Sequence, residues 1–176
     1  MTHALGPVLL LLLAAGCKYQ LGPEGLERPQ TRHAELPQLA VEPFDNVTYR
    51  RGLEILLTQF LNDEVRGRTG FAPVRAGEAD LILRGKIVKA DEVVLSDDVQ
   101  DRVAESMVVI VVQVDVWDPA AQKTVRSYSL REREPFSPAV GRIRTFDQAA
   151  EEALRDLAEQ IVYGLETDGP KLKKAP

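Results

Sequence analysis

An enzyme needs a nucleophile, a proton carrier or a metal held at a working spacing, and this chain offers little of each. Its one cysteine is Cys17. A single thiol excludes an internal disulfide, a four-cysteine zinc site and a Cys-x-x-Cys redox pair. Past residue 16 the only histidine is His33, in a polar stretch rich in Pro and Gly. A Ser-His-Asp arrangement built there would lack a rigid frame. Asp97, Asp98 and Asp101 gather three carboxylates that could attract a hard cation. They lack the glycine and closing glutamate of an EF-hand loop, and a solvated hairpin tip accounts for them. Glu132 and Glu134 alternate with Arg131 and Arg133 on a strand, which reads as a charge-balanced surface. No Gly-rich phosphate loop follows a strand. The expectation is a chain with no catalytic residues, no metal site and no cofactor, which binds and does not transform.

Cys17 points to a different chemistry. Residues 5–15 are almost wholly apolar and lead into Ala14-Ala15-Gly16-Cys17. The apolar run is too short to span a bilayer as a mature helix and fits the core of a signal peptide. Small residues directly before a lone cysteine resemble a bacterial lipobox. That resemblance implies cleavage before Cys17 and acylation of its thiol and new amino group. Ala14 stands where leucine is preferred, although Leu13 is adjacent, and no Lys or Arg precedes the apolar run. Acyl chains would anchor the protein, each buried methylene adding about 0.8 kcal/mol. Lys18 is not the Asp that marks inner-membrane retention, so the expected location is the outer membrane, facing the periplasm.

The chain has 176 residues and a formal charge of −5. That length fits one domain with one core. The mild acidity argues against nucleic acid as a partner, which would call for a basic face. The expected division is a signal peptide at 1–16, a lipidated terminus and linker at 17–37, a folded domain at 38–167 and a basic disordered tail at 168–176.

The folded domain begins with Leu39-Ala40-Val41, a short apolar strand stopped by Pro43. Residues 44–48 read as a turn. Leu53, Leu56, Leu57, Phe60, Leu61 and Val65 then recur at helical spacing, with the helix closing near Gly67 or Gly70. Phe71 to Val74 is a short edge strand or an ordered loop. Residues 79–95 alternate as a long strand, with Gly85 as a bulge or a close approach. Residues 107–117 place Val108, Ile110, Val112, Val114 and Val116 on one face and Met107, Val109 and Val111 on the other. A β-branched run apolar on both sides is a central strand. Residues 124–134 form a more polar strand. Thr145 opens a last helix with Gln148 at the capping-box position, and Asp168-Gly169-Pro170 closes it. Two amphipathic helices need one sheet face to cover. The expected fold is α+β, a two-layer sandwich with a four-stranded mixed sheet and two helices on one face, in the order strand-helix-strand-strand-strand-helix.

The letters at two places say more. The stretch Leu39–Glu54 carries Pro43, Phe44, Asn46, Thr48, Gly52, Leu53 and Glu54, and the expected mature start reads Cys17-Lys18-Tyr19-Gln20-Leu21. Both resemble the LPS-assembly lipoprotein LptE family, with Lys18 in place of the usual glycine. The resemblance implies the same two-layer fold. It also implies a role plugging the lumen of the β-barrel LptD and assisting lipopolysaccharide assembly in the outer leaflet. Contact with lipopolysaccharide would need cations for its phosphates. Arg142 and Arg144 come first, then Arg131 and Arg133. Met107, Val109 and Val111 form the candidate partner face, unless loops or Tyr128 cover it. The other reading is an accessory lipoprotein of a secretion or motility apparatus, assembled as a homo-oligomeric ring.

Overall fold

The computed structural model describes residues 36–68, 70–97, 103–137 and 144–172, with side chains to 167. Cys17, His33, Asp98, Asp101 and Arg142 lie outside these residues, as does the division of the chain before residue 36.

Strand β1 (Gln38–Val41) is short because Pro43 follows it. It lies parallel to β4 (Leu81–Asp97). A parallel pair requires a crossover, and helix α1 (Leu53–Gly67) supplies it. Strands β4, β5 (Val103–Asp118) and β6 (Lys123–Phe136) form an antiparallel meander. Helix α2 (Phe146–Leu172) follows. The expected α+β order is therefore present. The sheet, however, has six strands and not four. Strand β2 (Asp45–Asn46) pairs with β4 inside the stretch expected as a turn, and β3 (Ala72–Pro73) pairs with β1. β3 falls in the stretch read as a short edge strand or a loop, whereas two residues are too few for β2 to show an alternation.

One core joins the helices to one sheet face. Leu53, Leu57, Leu61 and Val65 of α1 are buried, with Leu56 and Phe60 packed beside them. The α2 face from Ala149 to Leu165 is buried as its spacing predicts, and Ala158 joins it. Val108, Ile110, Val112, Val114 and Val116 of β5 are all buried in the same cluster. Each such aliphatic side chain contributes about 1.5–3 kcal/mol.

Three local expectations resolve differently. Helix α1 ends at Gly67 without a left-handed cap: Arg68 is extended, and its N–H donates to the Glu64 carbonyl at 3.1 Å. Gly85 is a close approach and not the bulge. A Cβ there would overlap the Gln113 carbonyl and come within 2.6 Å of the Phe44 ring. The first of three register shifts along β4 falls three residues later, between Ile87 and Lys89; the others lie at Val94/Ser96 and Ser96/Asp97. The first, a bulge, inserts Val88 and shifts the alternation by one, which turns Lys89 and Asp91 away from the core. Helix α2 runs through Asp168-Gly169-Pro170 to Leu172. A proline removes its own N–H bond and crowds the carbonyl four residues back, and here both costs fall in the last turns of a 27-residue helix. Its start follows the capping box: Thr145 N–H donates to Gln148 Oε1 at 3.0 Å, and Gln148 N–H to Thr145 Oγ1 at 3.3 Å.

Candidate functional site

The family-like letters of Leu39–Glu54 form one hydrogen-bonded corner. Asn46 sits at its centre. Its Nδ2 donates to the Arg50 carbonyl and to Glu54 Oε2, both at 2.7 Å. Its Oδ1 accepts from the Thr48 N–H at 2.9 Å and the Thr48 hydroxyl at 2.7 Å. All of the Asn46 amide is thereby used. Thr48 Oγ1 accepts from the Arg50 N–H, and Glu54 Oε2 accepts from the Gly52 N–H. Gly52 has φ +92°, a conformation that favours glycine, at the N-cap of α1. The Asn46 amide is the main reason the Glu54 carboxyl titrates below its ordinary range. Phe44 is buried over Gly85, and its N–H donates to Thr58 Oγ1 at 3.0 Å. These residues set the angle at which β1 enters α1; they are architecture and offer no reactive group. Arg50 stacks over the Phe146 ring at 3.8 Å and so ties the corner to the start of α2.

Met107, Val109, Val111, Arg131 and Arg133 meet on the sheet face turned away from the helices. Val109 stands between Asp91 and Arg133, and Val111 between Lys89 and Arg131. Met107 stands between Val93 and Pro135. The apolar stripe and the second arginine pair are thus one surface. Val109 is buried although neither α1 nor α2 covers it, and Met107 and Val111 are half-buried. Long charged side chains on either strand supply apolar stems beside them. Tyr128 does not lie over this stripe: it pairs with Val114 on the helix side and packs against the core. Arg131 and Arg133 are exposed, and among the described residues neither guanidinium makes an ion pair.

Arg144 is placed differently. Its Nη1 donates to Glu134 Oε1 at 2.9 Å and to the Pro135 carbonyl at 3.1 Å. Its Nη2 pairs with Glu152. This guanidinium binds α2 to β6, and a phosphate there would compete with two carboxylates. A second such tie, not visible in the sequence, is Arg68, which reaches Glu64 at 3.3 Å, Glu159 at 3.4 Å and Glu166 at 3.5 Å. Negative charge crowds beside these ties. Burial, then Glu132, Glu134 and Glu159, raise the Asp156 carboxyl above its ordinary value.

The sequence model of a family described as LptE, lipopolysaccharide-assembly, matches residues 36–165, nearly the whole described body. The chain belongs to the LptE family. Solved structures agree on the fold. Protein XCC0632 from Xanthomonas campestris superposes with a TM-score of 0.61 at 12% identity, over 80% of this chain and 89% of that one. Rare lipoprotein B from Shewanella oneidensis gives 0.53 at 16%, over 76% and 98%. A minor lipoprotein from Acinetobacter baumannii gives 0.50 at 16%, over 75% and 94%. A comparison with curated protein sequences gives no match. At such identities the likeness is one of backbone, and the LptE-family letters of the corner are what this body needs to hold its first turn.

Proposed function

We propose that this LptE-family chain is an outer-membrane lipoprotein anchored through Cys17. It seats from the periplasmic side in the lumen of the LptD β-barrel and assists delivery of lipopolysaccharide to the outer leaflet. It works by fitting and binding, with no chemistry of its own. The family match over residues 36–165 is the observation that carries this reading. The geometry supports it in two ways. A closed core with a locked corner makes a rigid body. The helix-free sheet face offers an apolar stripe between charged rows, a surface suited to a wet barrel wall.

The same face is the proposed partner contact, through Met107, Val109 and Val111. Arg131 and Arg133 flank it and are the better-placed cations for lipopolysaccharide phosphates, since Arg144 is already engaged by Glu134 and Glu152. Arg142 stays a candidate on sequence grounds alone. Replacing Arg131 and Arg133 together by serine should weaken binding of purified lipopolysaccharide several-fold at low salt and leave folding unchanged.

The test is affinity purification of the tagged chain from outer membranes in mild detergent, followed by mass spectrometry. The expected result is an acylated Cys17 and a large β-barrel protein in the same complex. A folded, acylated chain that emerges alone contradicts the barrel role. An unacylated Cys17 contradicts the anchor.

A further inference from the structure

The β4 edge changes character along its length. Up to Ile87 it is paired: β1 occupies Leu81–Leu83, and β2 occupies Lys86 and Ile87. The Glu42 N–H donates to the Leu83 carbonyl, and the Val47 N–H to the Ile87 carbonyl at 3.1 Å. Those two bonds mark the odd-numbered residues as edge-facing. The bulge at Val88 reverses the order, so past it Ala90, Glu92 and Val94 turn their N–H and C=O groups outward. Among the described residues nothing pairs with the edge from Lys89 to Asp97 on the side away from β5. The chain leaves the line of β2 at Thr48, and a groove of about 560 Å³ opens where that line would continue. Val47, Tyr49 and Arg50 form one wall; Val88, Asp91 and Val93 belong to the other. Val47 is 66% exposed and Tyr49 fully so, and Val93, Val94 and Leu95 are exposed in succession.

We infer that this edge takes an extended strand from a partner polypeptide, with alternating basic and apolar residues, as the next strand of the sheet. Unmade backbone bonds on an edge are satisfied by extended peptide. The exposed valines, Leu95 and Tyr49 give apolar side chains a place to rest. Asp91, Glu92 and Asp97 outnumber the local cations, Lys89 paired with Asp91 at 3.3 Å and Arg50 stacked on Phe146, so the edge favours lysine or arginine in the incoming strand. The same carboxylates disfavour a second copy of this chain, whose own edge would bring like charges together. Charged ends around an apolar run are also how natural edges discourage self-pairing. The far edge of the sheet contrasts with this one: β6 carries Arg131, Glu132, Arg133 and Glu134 in succession and has no apolar triplet. The inference is independent of the barrel reading, because it concerns an edge and names no barrel.

The probe is a synthetic seven-residue peptide of alternating lysine and valine, added to the chain carrying Cys17→Ser and followed by amide chemical shifts. Saturable binding should move the amides of Ala90, Glu92, Val94 and Tyr49. The same peptide N-methylated on alternate backbone nitrogens should bind at least ten-fold more weakly. Val94→Pro, which removes an outward N–H and leaves the β5 ladder intact, should weaken it as much. A glutamate–valine peptide should not bind. Equal binding of the N-methylated peptide would reduce the effect to charge and overturn the inference. So would self-association that moves these amides without peptide. Slow exchange of the same amides in the unliganded chain would overturn it too, since the slot would then be filled from within.

Discussion

Strand β4 has two halves with different environments. From Leu81 to Ile87 it has β5 on one side and β1, then β2, on the other, and Leu83 and Ile87 join the core under the helices, with Ala90 just past the bulge. From Asp91 to Asp97 every residue is exposed, and only β5 pairs with it among the described residues. One continuous strand thus carries both the most constrained and the least constrained part of the sheet. The first half is fixed by packing that tolerates no extra atom. The second pairs on one side only among the described residues, with β5, and its other edge is open. Stability and interaction are separated along a single element, with the bulge at Val88 as the divide.

Substitutions can sharpen or break that division. Gly85→Val should have the largest effect, because its side chain would meet the Gln113 backbone and the Phe44 ring. A loss of about 3 kcal/mol or more in urea unfolding is expected. Asn46→Ala comes next, at about 2 kcal/mol, since it leaves Thr48, Arg50 and Glu54 without their common partner. This second effect depends on pH. The folded state lowers the Glu54 pKa, so its stabilisation is present above the ordinary value of 4.5 and disappears as pH falls through the folded value. The gap between the melting curves of wild type and Asn46→Ala should therefore narrow in acid without closing, since the bonds to Thr48 and Arg50 do not titrate. Asp156→Asn should act in the opposite direction and be smaller. The folded state raises the Asp156 pKa, so wild type gains stability as pH falls through that value and gives it up as pH rises. The variant should melt slightly higher at neutral pH, by at most about 0.5 kcal/mol in stability, with the gap closing in acid. Val94→Lys, on the exposed half of β4, should change stability least, within about 0.5 kcal/mol. A large loss there would show that the second half is as constrained as the first.

The helices and the central strand were legible because their signals are long and redundant. Leu53 to Val65 and Phe146 to Leu165 repeat one spacing over several turns, and Thr145 with Gln148 announces its own cap. The β-branched run of β5 leaves little else it could be. The two-residue strand β2 was not legible, and β3 was legible only as one of two readings of Phe71 to Val74, since their pairing is decided by where β1 and β4 place their edges. The bulge left a trace that reads clearly only in hindsight: the apolar positions of β4 shift from Leu83 and Ile87 to Ala90 and Val94. The arginines divide on long-range grounds. Arg144 and Arg68 are occupied by glutamates far away in sequence, which no local pattern reports, whereas Arg131 and Arg133 sit on the open face their alternation implies. The letters of the corner identified the family, and the structure shows them to be scaffolding, so family membership was readable before any contact surface was.

Amide hydrogen exchange along β4 of the unliganded chain tests the division most directly. The amides from Ile82 to Ile87 should exchange only near global unfolding, and those from Glu92 to Asp97 at least about 100-fold faster. Uniform protection from Ile82 to Asp97 would contradict it, because the outer half would then be as firmly held as the core.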